Sequence, residues 1–589
     1  MSRNGQPGGN LARLWRRHGA AASWAVPLLL YAILAAVLLP MHWERINPDA
    51  VAYIRRALLL TRGDWANSVS GYWSPLISWC IAPLMLAGMD GLHAAHLVLA
   101  LWGGAYVICF HRLLRVLNVT DDRWVLAATT IVALAAIPAM LRPVAPDVIM
   151  AACLLAFLAC GGHQRLLHST PLQVLTGVLG GITYLAKAYA FPVVVLLLPL
   201  TIAMHVYSAG LRSRANWLAA ARAMLVSGAA LAVVAGTWIG VLSHRYGRLT
   251  ISTSGPINHA YIGPNPNPKS PLPYGVEPDP YIALIENPDR VPVATWSPLA
   301  SRENFAHQMR VVWINLKTLL GLVGGFAAMY LAVPVLAATP LGLLALRADR
   351  RGQAVLAWLL CASAIYGLGL TAVCWIHRDP RYFVPVALPL TVAVAVLLLA
   401  AWRNSARAPA AVRLLVAVLA VAFAGPAMAG VLKAFGSSQP TIYRDVAQAM
   451  RTAGHSGPVV TTHRQKGLYA AYFLDEKVVK FPPVRHPEEA EEILRQHGIQ
   501  ALLMWRDRQG RLTYGQGAVV ADDEPEGNSD GDNEAQGALE AANRQPARPQ
   551  VAERMTQRPG WTRILTLDAG RHGQVEVYAP PWRSEGIGR

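Results

Sequence analysis

Long apolar runs dominate the first three quarters of the chain and alternate with short basic segments. A helix needs about 20 apolar residues to cross the hydrocarbon core of a bilayer. Eleven runs come near that length, at 22–40, 94–114, 125–141, 147–161, 172–186, 189–207, 222–243, 316–346, 353–376, 382–402 and 413–434. The pattern predicts a mostly α polytopic membrane protein of about 11 transmembrane helices, with residues 22–434 as the transmembrane domain.

The basic residues between these runs predict how the helices are oriented. Short loops rich in arginine stay on the cytoplasmic side of a membrane. If residues 1–21 form a cytoplasmic segment, the short arginine-rich loops fall inside, whereas the long loops 41–93 and 244–311 and the tail 435–589 fall outside. This assignment requires the apolar segment 74–89, which two prolines interrupt, to be an interfacial or re-entrant helix. The predicted location is a bacterial-type plasma (inner) membrane.

Composition supports this class and excludes others. Hydrophobic residues make up 54% and charged residues 15% of the 589 positions, whereas soluble domains carry about 25% charged residues. An ordinary soluble enzyme and a disordered or fibrous protein are therefore excluded. The net charge of +18 falls among the apolar runs, where it indicates membrane topology rather than a nucleic-acid partner. The six cysteines form no C-x-x-C pair, which argues against a disulfide scaffold or a zinc module.

The tail 435–589 has the pattern of a small α/β soluble domain. Helix signals occur at 441–453 and 487–497, and short apolar runs typical of strands occur at 459–462, 477–481, 501–505, 563–567 and 575–579. The stretch 515–555 contains many acidic residues and few apolar ones, a composition that cannot bury enough surface to fold. It is predicted to be a disordered acidic insertion.

The sequence lacks the glycine-rich phosphate loops, the serine elbow and the H-E-x-x-H pattern of common soluble enzymes. The spacing of Gly177 and Gly181 is G-x-x-x-G, which is typical of close helix packing. The pairs His93/His96 and Glu303/His307 have helical spacing but offer too few ligands for a metal. We therefore predict no cofactor, and a divalent metal is not expected.

Two acidic residues stand at predicted membrane boundaries, Asp49 and Asp147. Asn47 suits an N-cap and Pro48 a first helical turn, which places Asp49 at the positive end of a helix of about 15 residues that Gly63 would end. The apolar positions of this helix predict that it lies on the membrane surface. Either carboxylate is a candidate catalytic group, and the alternative for each is that it only complements the helix dipole.

Basic and aromatic residues accumulate on the predicted outer side. The candidates for binding a phosphate group are Arg55, Arg56, Lys187, Arg378 and Arg381, because guanidinium and ammonium groups bind phosphate oxygens well. The alternative is that these side chains reach lipid headgroups. The candidates for contacting a sugar or an acceptor are Tyr53, Tyr72, Trp73 and Tyr382, and the alternative for the aromatic residues is an interfacial belt.

Taken together, these features resemble the polytopic glycosyltransferases of the C superfamily, and specifically the clan of protein O-mannosyltransferases and lipid A aminoarabinose transferases. The similarity covers about 45–435 in organisation. An acidic residue on a helix of the first outside loop is followed by the segment Gly71–Leu76 (GYWSPL), by Arg142 and Asp147, and by Arg381-Tyr382-Phe383. Two departures are Pro48, where the clan often has a second acid, and Trp73-Ser74, where it has a basic residue.

The resemblance implies transfer of a sugar from a polyprenyl-phosphate carrier to an extracytoplasmic acceptor, which would be a lipid, a glycan of the cell envelope or a protein. It carries Asp49 over as the loop carboxylate, which could act as the base, and Asp147 as the second acid, in an inverting reaction. The expected partners are membrane lipids, the carrier-linked sugar and the acceptor, without nucleic acid. Two alternatives stay open: a transporter or flippase of a lipid-linked saccharide, and a non-catalytic subunit that assembles the envelope.

Overall fold

The computed structural model describes residues 10–141, 144–210, 213–264, 288–290, 294–328, 349–373, 380–405, 424–436, 441–482, 484–513, 548–568 and 573–582. The chain divides into two compact units. The first unit comprises Met1–Arg45, Tyr53–Lys269 and Pro292–Gln439, and the second comprises Ile46–Ala52, Ser270–Val291 and Pro440–Arg589.

The first unit is helical in the part that the structure describes. Its helices, together with the helix that begins in Ile46–Ala52, are α1 (Asn10–Leu38), α2 (Pro48–Thr61), α3 (Trp65–Ser68), α4 (Leu76–Leu86), α5 (Gly91–Val116), α6 (Asp122–Leu141), α7 (Asp147–Gly161), α8 (Thr170–Ala186), α9 (Ala190–Ala209), α10 (Arg214–Tyr246), α11 (Ser254–Tyr261), α12 (Arg302–Ala328), α13 (Arg350–Val373), α14 (Val384–Ser405) and α15 (424–436). Short 3₁₀ turns occupy Leu39–His42, Leu166–His168, Pro288–Arg290 and Pro380–Tyr382.

Six helices of the described residues are long and apolar enough to cross a membrane: His18–His42, Gly91–Val116, Asp122–Leu141, Ala190–Ala209, Arg214–Tyr246 and Arg350–Ala372. The prediction of a mostly helical, multi-pass membrane protein is thus confirmed. The runs at 316–346 and 413–434 lie partly outside the described residues, so the total of eleven spans stays a prediction. Helix α4 has 11 residues and is about 16 Å long, which is too short to span a bilayer, as predicted for 74–89.

Small residues bring two of the helices into close contact. A Cβ atom built at Gly177 of α8 would lie 2.1 Å from the carbonyl oxygen of Ser227 in α10, and one at Gly181 would lie 2.5 Å from Cβ of Val234. Real Cβ atoms do not approach other atoms so closely, so only glycine fits at these two positions. The G-x-x-x-G spacing of α8 therefore has the packing role that the sequence predicts.

Helix α2 begins and ends where the sequence predicts. It starts at Pro48 with Asp49 in its first turn, and Gly63 follows with a φ of +77° that closes the helix. Residues 50–57 are buried by protein all round; this burial locates the helix relative to the chain and not to a bilayer, so its membrane-surface position stays a prediction. Arg56 is among the buried residues, and its Nη1 donates to the carbonyl oxygen of Asn67 at 2.6 Å.

The second unit contains a five-stranded sheet with the order β2-β1-β3-β5-β4. Its strands are β1 (Val459–Thr461), β2 (Val478–Lys480), β3 (Ala501–Arg506), β4 (Thr562–Asp568) and β5 (Gln574–Ala579), and its helices are α16 (Ile442–Thr452), α17 (Arg464–Leu474), α18 (Pro487–Gln496) and α19 (Arg548–Thr556). Strand β1 pairs in parallel with β2 and β3, while β5 pairs antiparallel with β3 and β4. All five strands coincide with strand-like runs of the sequence.

Each face of this sheet carries its own hydrophobic core. Because side chains alternate along a strand, Leu503 and Trp505 of β3 contribute to one core, with residues of α16 and α17. Leu502 and Met504 contribute to the other, with residues of α18 and α19. The tail is thus a layered α/β structure in its described part.

The predicted boundary of the acidic insertion is wrong at its C-terminal end. Residues 514–547 lie outside the described residues, but α19 is an ordered helix within the predicted range 515–555. Its side chains Val551, Ala552 and Met555 are buried in the second core, and Glu553 forms an ion pair with Arg506 at 2.9 Å. The composition of the range as a whole does not predict this helix, because its few apolar residues follow a long acidic stretch.

Candidate functional site

Four side chains predicted as functional come together in the first unit: Asp147, Lys187, Arg381 and Tyr382. The ammonium of Lys187 forms an ion pair with Oδ1 of Asp147 and lies 4.7 Å from the centroid of the Tyr382 ring. The guanidinium carbon of Arg381 lies 4.7 Å from the same centroid, and its Nη2 donates to the Tyr382 hydroxyl at 2.6 Å. We call these four residues the cationic cluster.

Asp147 is placed by the start of a helix. It is the first residue of α7, directly after Pro146, so the backbone dipole of the helix favours its negative charge. Only 7% of its side chain is exposed, and a carboxylate with so little access to water requires a counter-charge. Lys187 supplies that charge, so each member of the pair holds the other in position.

Lys187 lies in a three-residue turn between two helices. Helix α8 ends at Ala186 and α9 begins at Ala190, and Lys187 itself has extended backbone angles, with φ −154° and ψ 121°. The turn is held from another segment, since the N–H of Ala188 donates to the Oγ of Ser74 at 2.9 Å. Ser74 belongs to the GYWSPL segment of the loop 41–93 and is buried.

Three tyrosines connect this turn to the other half of the cluster. The hydroxyl of Tyr189 donates to the carbonyl oxygen of Tyr366 at 2.5 Å, and the hydroxyl of Tyr366 donates to the carbonyl oxygen of Tyr382 at 2.7 Å. Gly369 of α13 permits this contact, because a Cβ there would lie 2.5 Å from the Tyr189 hydroxyl. The turn that carries Lys187 and the segment that carries Tyr382 are therefore both fixed to α13.

The GYWSPL segment is also hydrogen-bonded to the loop 244–311. The N–H of Gly71 donates to the hydroxyl of Tyr246 at 2.9 Å, and its carbonyl oxygen accepts from the N–H of Thr253 at 2.9 Å. The hydroxyl of Tyr72 donates to Oδ1 of Asn258 at 3.2 Å. A side chain at Gly71 would collide with Thr253, so the segment depends on glycine here.

Two of the predicted sugar-contacting rings pack against each other. Tyr53 and Trp73 are buried and pack edge to face, with ring centroids 5.1 Å apart. Tyr72 and Tyr382 are half-buried. Contact of these four rings with a sugar or an acceptor stays a prediction.

The remaining predicted residues lie elsewhere. Arg55 and Arg56 are both buried in α2, and Arg56 donates to backbone carbonyl groups of the loop 41–93. Asp49 is half-buried in the first turn of α2 and falls within Ile46–Ala52, which belongs to the second unit. Arg378 lies outside the described residues. Within the part of the chain that is described, no three His, Cys, Asp or Glu side chains are grouped as metal ligands.

The sequence does not mark Ser74, Tyr189 or Tyr366 as functional residues. Ser74 is notable in the sequence only because the related clan has a basic residue at Trp73-Ser74. Tyr189 is visible in the sequence as part of the aromatic surroundings of Lys187, whereas Tyr366 is an ordinary aromatic residue of an apolar run. Only the folded chain shows that all three hold the cluster.

We expect Ser74→Ala to loosen the turn that carries Lys187 while the protein stays folded. Loss of the Oγ leaves the Ala188 N–H without this acceptor, which costs about 1–3 kcal/mol when the group is shielded from water. Ser74→Thr retains a hydroxyl and is the matched control. Hydrogen exchange of a peptide that covers the turn, measured in detergent for both variants, checks this expectation, and unchanged exchange in Ser74→Ala would contradict it.

The comparisons with known proteins concern the fold. No protein-family model and no curated protein sequence matches the chain. Among solved structures, the chain is similar to ArnT from Cupriavidus metallidurans bound to undecaprenyl phosphate, with 14% identity, a TM-score of 0.50 and coverage of 93% of this chain and 97% of that one.

Two further structures are similar with lower scores. One is the oligosaccharyltransferase of Archaeoglobus fulgidus in complex with Zn and sulfate, with 11% identity, a TM-score of 0.48 and coverage of 83% of this chain and 72% of that one. The other is the arabinofuranosyltransferase AftD from Mycobacteria, with 15% identity, a TM-score of 0.47 and coverage of 93% and 40%. The likeness to ArnT extends over nearly the whole of both chains. The chain therefore shares its fold with ArnT, in line with the fold that its sequence predicts.

Proposed function

We propose that this protein is a membrane glycosyltransferase that transfers a sugar from a polyprenyl-phosphate carrier to an extracytoplasmic acceptor. The observation that carries the proposal is the cationic cluster, in which Lys187 and Arg381 lie on one aromatic ring. The ArnT structure with the same fold holds undecaprenyl phosphate, which is a carrier of this kind. Acceptors of the proposed reaction are a lipid, a glycan or a protein.

The cluster suits the leaving group of such a reaction. A sugar phosphodiester releases a phosphate monoester, so the enzyme needs positive charge where negative charge develops and no general acid on the carrier side. Lys187 and Arg381 supply this charge in the proposal, and the Tyr382 ring and hydroxyl hold both in place. Asp147 forms an ion pair with Lys187. In the proposal, its carboxylate keeps the Lys187 ammonium oriented toward the phosphate.

The acceptor side requires a base, and we propose Asp49 for that role. Its carboxylate takes the proton of the acceptor nucleophile as the new bond to the anomeric carbon forms. The bond from that carbon to the phosphate oxygen breaks, and the carrier leaves as polyprenyl phosphate. A single displacement of this kind inverts the anomeric configuration, which we propose by analogy with the fold.

The residues of the cationic cluster also bear on the proposed orientation of the chain in the membrane. Asp147 begins α7, Lys187 directly follows α8, and the turn Pro380–Tyr382 precedes α14. The topology predicted from basic loops places these three helix ends outside, together with the first outside loop. We accordingly propose eleven spans, a cytoplasmic N-terminus and an extracytoplasmic second unit in a bacterial-type plasma membrane.

Release of the carrier tests this function without knowledge of the sugar. Purified protein is reconstituted in liposomes with total lipid from cells that lack this chain, since such lipid contains any unused donor and lipid-linked acceptor. We expect free polyprenyl phosphate to appear and the carrier-linked sugar to disappear. A transporter would move the carrier-linked sugar across the bilayer and leave the bond intact, and that outcome would overturn the proposal.

A further inference from the structure

The segment that contains Asp49 belongs to the core of the second unit. Residues Ile46–Ala52 are assigned to this unit, although they precede it by nearly four hundred positions in the sequence. Val51 is fully buried and belongs to the same hydrophobic core as Tyr443, Val446 and Val577, and Ile46 packs against that core. Apolar side chains on both sides of Asp49 are thus held by the second unit.

The geometry of α2 links the burial of Val51 to the direction of Asp49. Successive residues of an α-helix are rotated by about 100°, so Asp49, two positions before Val51, projects toward roughly the opposite side of α2. Pro48 fixes φ at the start of the helix, which leaves little freedom for the first turn to rotate on its own. The burial of Val51 in this core therefore fixes the rotation of the turn that carries Asp49.

We infer that the second unit positions the Asp49 carboxylate, and that Val51 is the positioning residue. This inference rests on the proposed function, in which Asp49 is the base. The tail then has a defined role, because its sheet and helices supply the core that sets the rotation of the first turn of α2. A general base displaced by about 1 Å loses on the order of 10²-fold in rate, so this control affects turnover directly.

A pair of matched valine substitutions tests the inference. Val51→Ala and Val577→Ala remove the same two methyl groups from the same core, and both valines are 0% exposed, but Val577 lies on β5. We expect similar losses of thermal stability from the two changes. The rate of carrier release at saturating donor should fall about tenfold or more in Val51→Ala only, with little change in the donor concentration for half-maximal rate.

A double variant separates positioning from general destabilisation. If Val51 acts through Asp49, then Val51→Ala and Asp49→Asn remove the same contribution to the rate, and their effects do not add. In the Asp49→Asn background, Val51→Ala should therefore lower the residual rate no further than Val577→Ala does. Equal effects of the two valine variants in the wild-type background would overturn the inference. An additional loss caused by Val51→Ala in the Asp49→Asn background would overturn it as well.

Hydrogen exchange keeps this test independent of the proposed function. Amides of a peptide that covers 46–54 should exchange faster in Val51→Ala than in Val577→Ala, because local opening follows the loss of local packing. Faster exchange together with an undetectable rate in the wild type would mean that the proposed function fails while the packing of the first turn is as inferred. Unchanged exchange in Val51→Ala would overturn the inference itself.

Discussion

The Asp49→Asn variant should lose sugar transfer by a factor of about 10²–10⁴, the usual contribution of a general base. Asparagine has nearly the same shape as aspartate and keeps a hydrogen-bond acceptor, but it cannot take a proton from the acceptor nucleophile. Because the first turn of α2 gains only about 0.3–1 kcal/mol from a charge at this position, folding and membrane insertion should be preserved. Carrier release in liposomes, compared at equal protein levels, measures the effect.

Asp64→Asn is the matched control for this variant. Asp64 lies in the same loop, 41–93, and caps α3, where its carboxylate accepts from the N–H and the side-chain amide of Asn67. Asparagine caps a helix nearly as well as aspartate, so activity should stay close to that of the wild type. Full activity in Asp49→Asn would contradict the base assignment.

Lys187→Met should abolish binding of undecaprenyl phosphate and also destabilise the protein. The substitution leaves the Asp147 carboxylate, 7% exposed, without its counter-charge, and breaking a buried ion pair in this way costs about 3–5 kcal/mol. A loss of binding in this variant alone would therefore have two explanations. Thermal unfolding in detergent and the level of protein in the membrane measure the structural part.

The double variant Asp147→Asn with Lys187→Met separates the two explanations. Removing both charges avoids the uncompensated carboxylate, and replacing a whole ion pair with neutral groups is often nearly neutral for stability. We expect the double variant to recover most of the unfolding temperature and still to fail in binding undecaprenyl phosphate. Binding at wild-type affinity in the double variant would show that Lys187 does not hold the carrier phosphate.

The cluster could be predicted in part because charges are rare among apolar runs. Lys187 and Arg381 are basic residues at predicted outer helix ends, and Asp147 is an acid at a predicted membrane boundary. The structure brings these three together with Tyr382. The sequence could not reveal that Asp147 and Lys187 form a pair, since forty positions separate them and only the packing of α7 and α8 brings them into contact.

Other features followed from long-range contacts that leave no local pattern. The sequence makes Arg56 a candidate for binding phosphate, but it does not show that the guanidinium is buried and donates to the carbonyl oxygen of Asn67. Ser74 and Tyr366 are common residue types that gain a role only through their partners. The burial of Val51 in the core of the second unit is equally invisible in the sequence, because the periodicity of α2 shows which side is apolar and not what covers it.

Analysis of the lipids of cells that lack this chain tests the central claim most directly. The account predicts that mass spectrometry finds an accumulated polyprenyl-phosphate sugar, whose mass identifies the sugar. It also predicts that the wild-type chain restores the pool to normal and that Asp49→Asn, present at the same level in the membrane, does not. A carrier pool that is unchanged by loss of the chain, or that Asp49→Asn restores as fully as the wild type, would contradict the account.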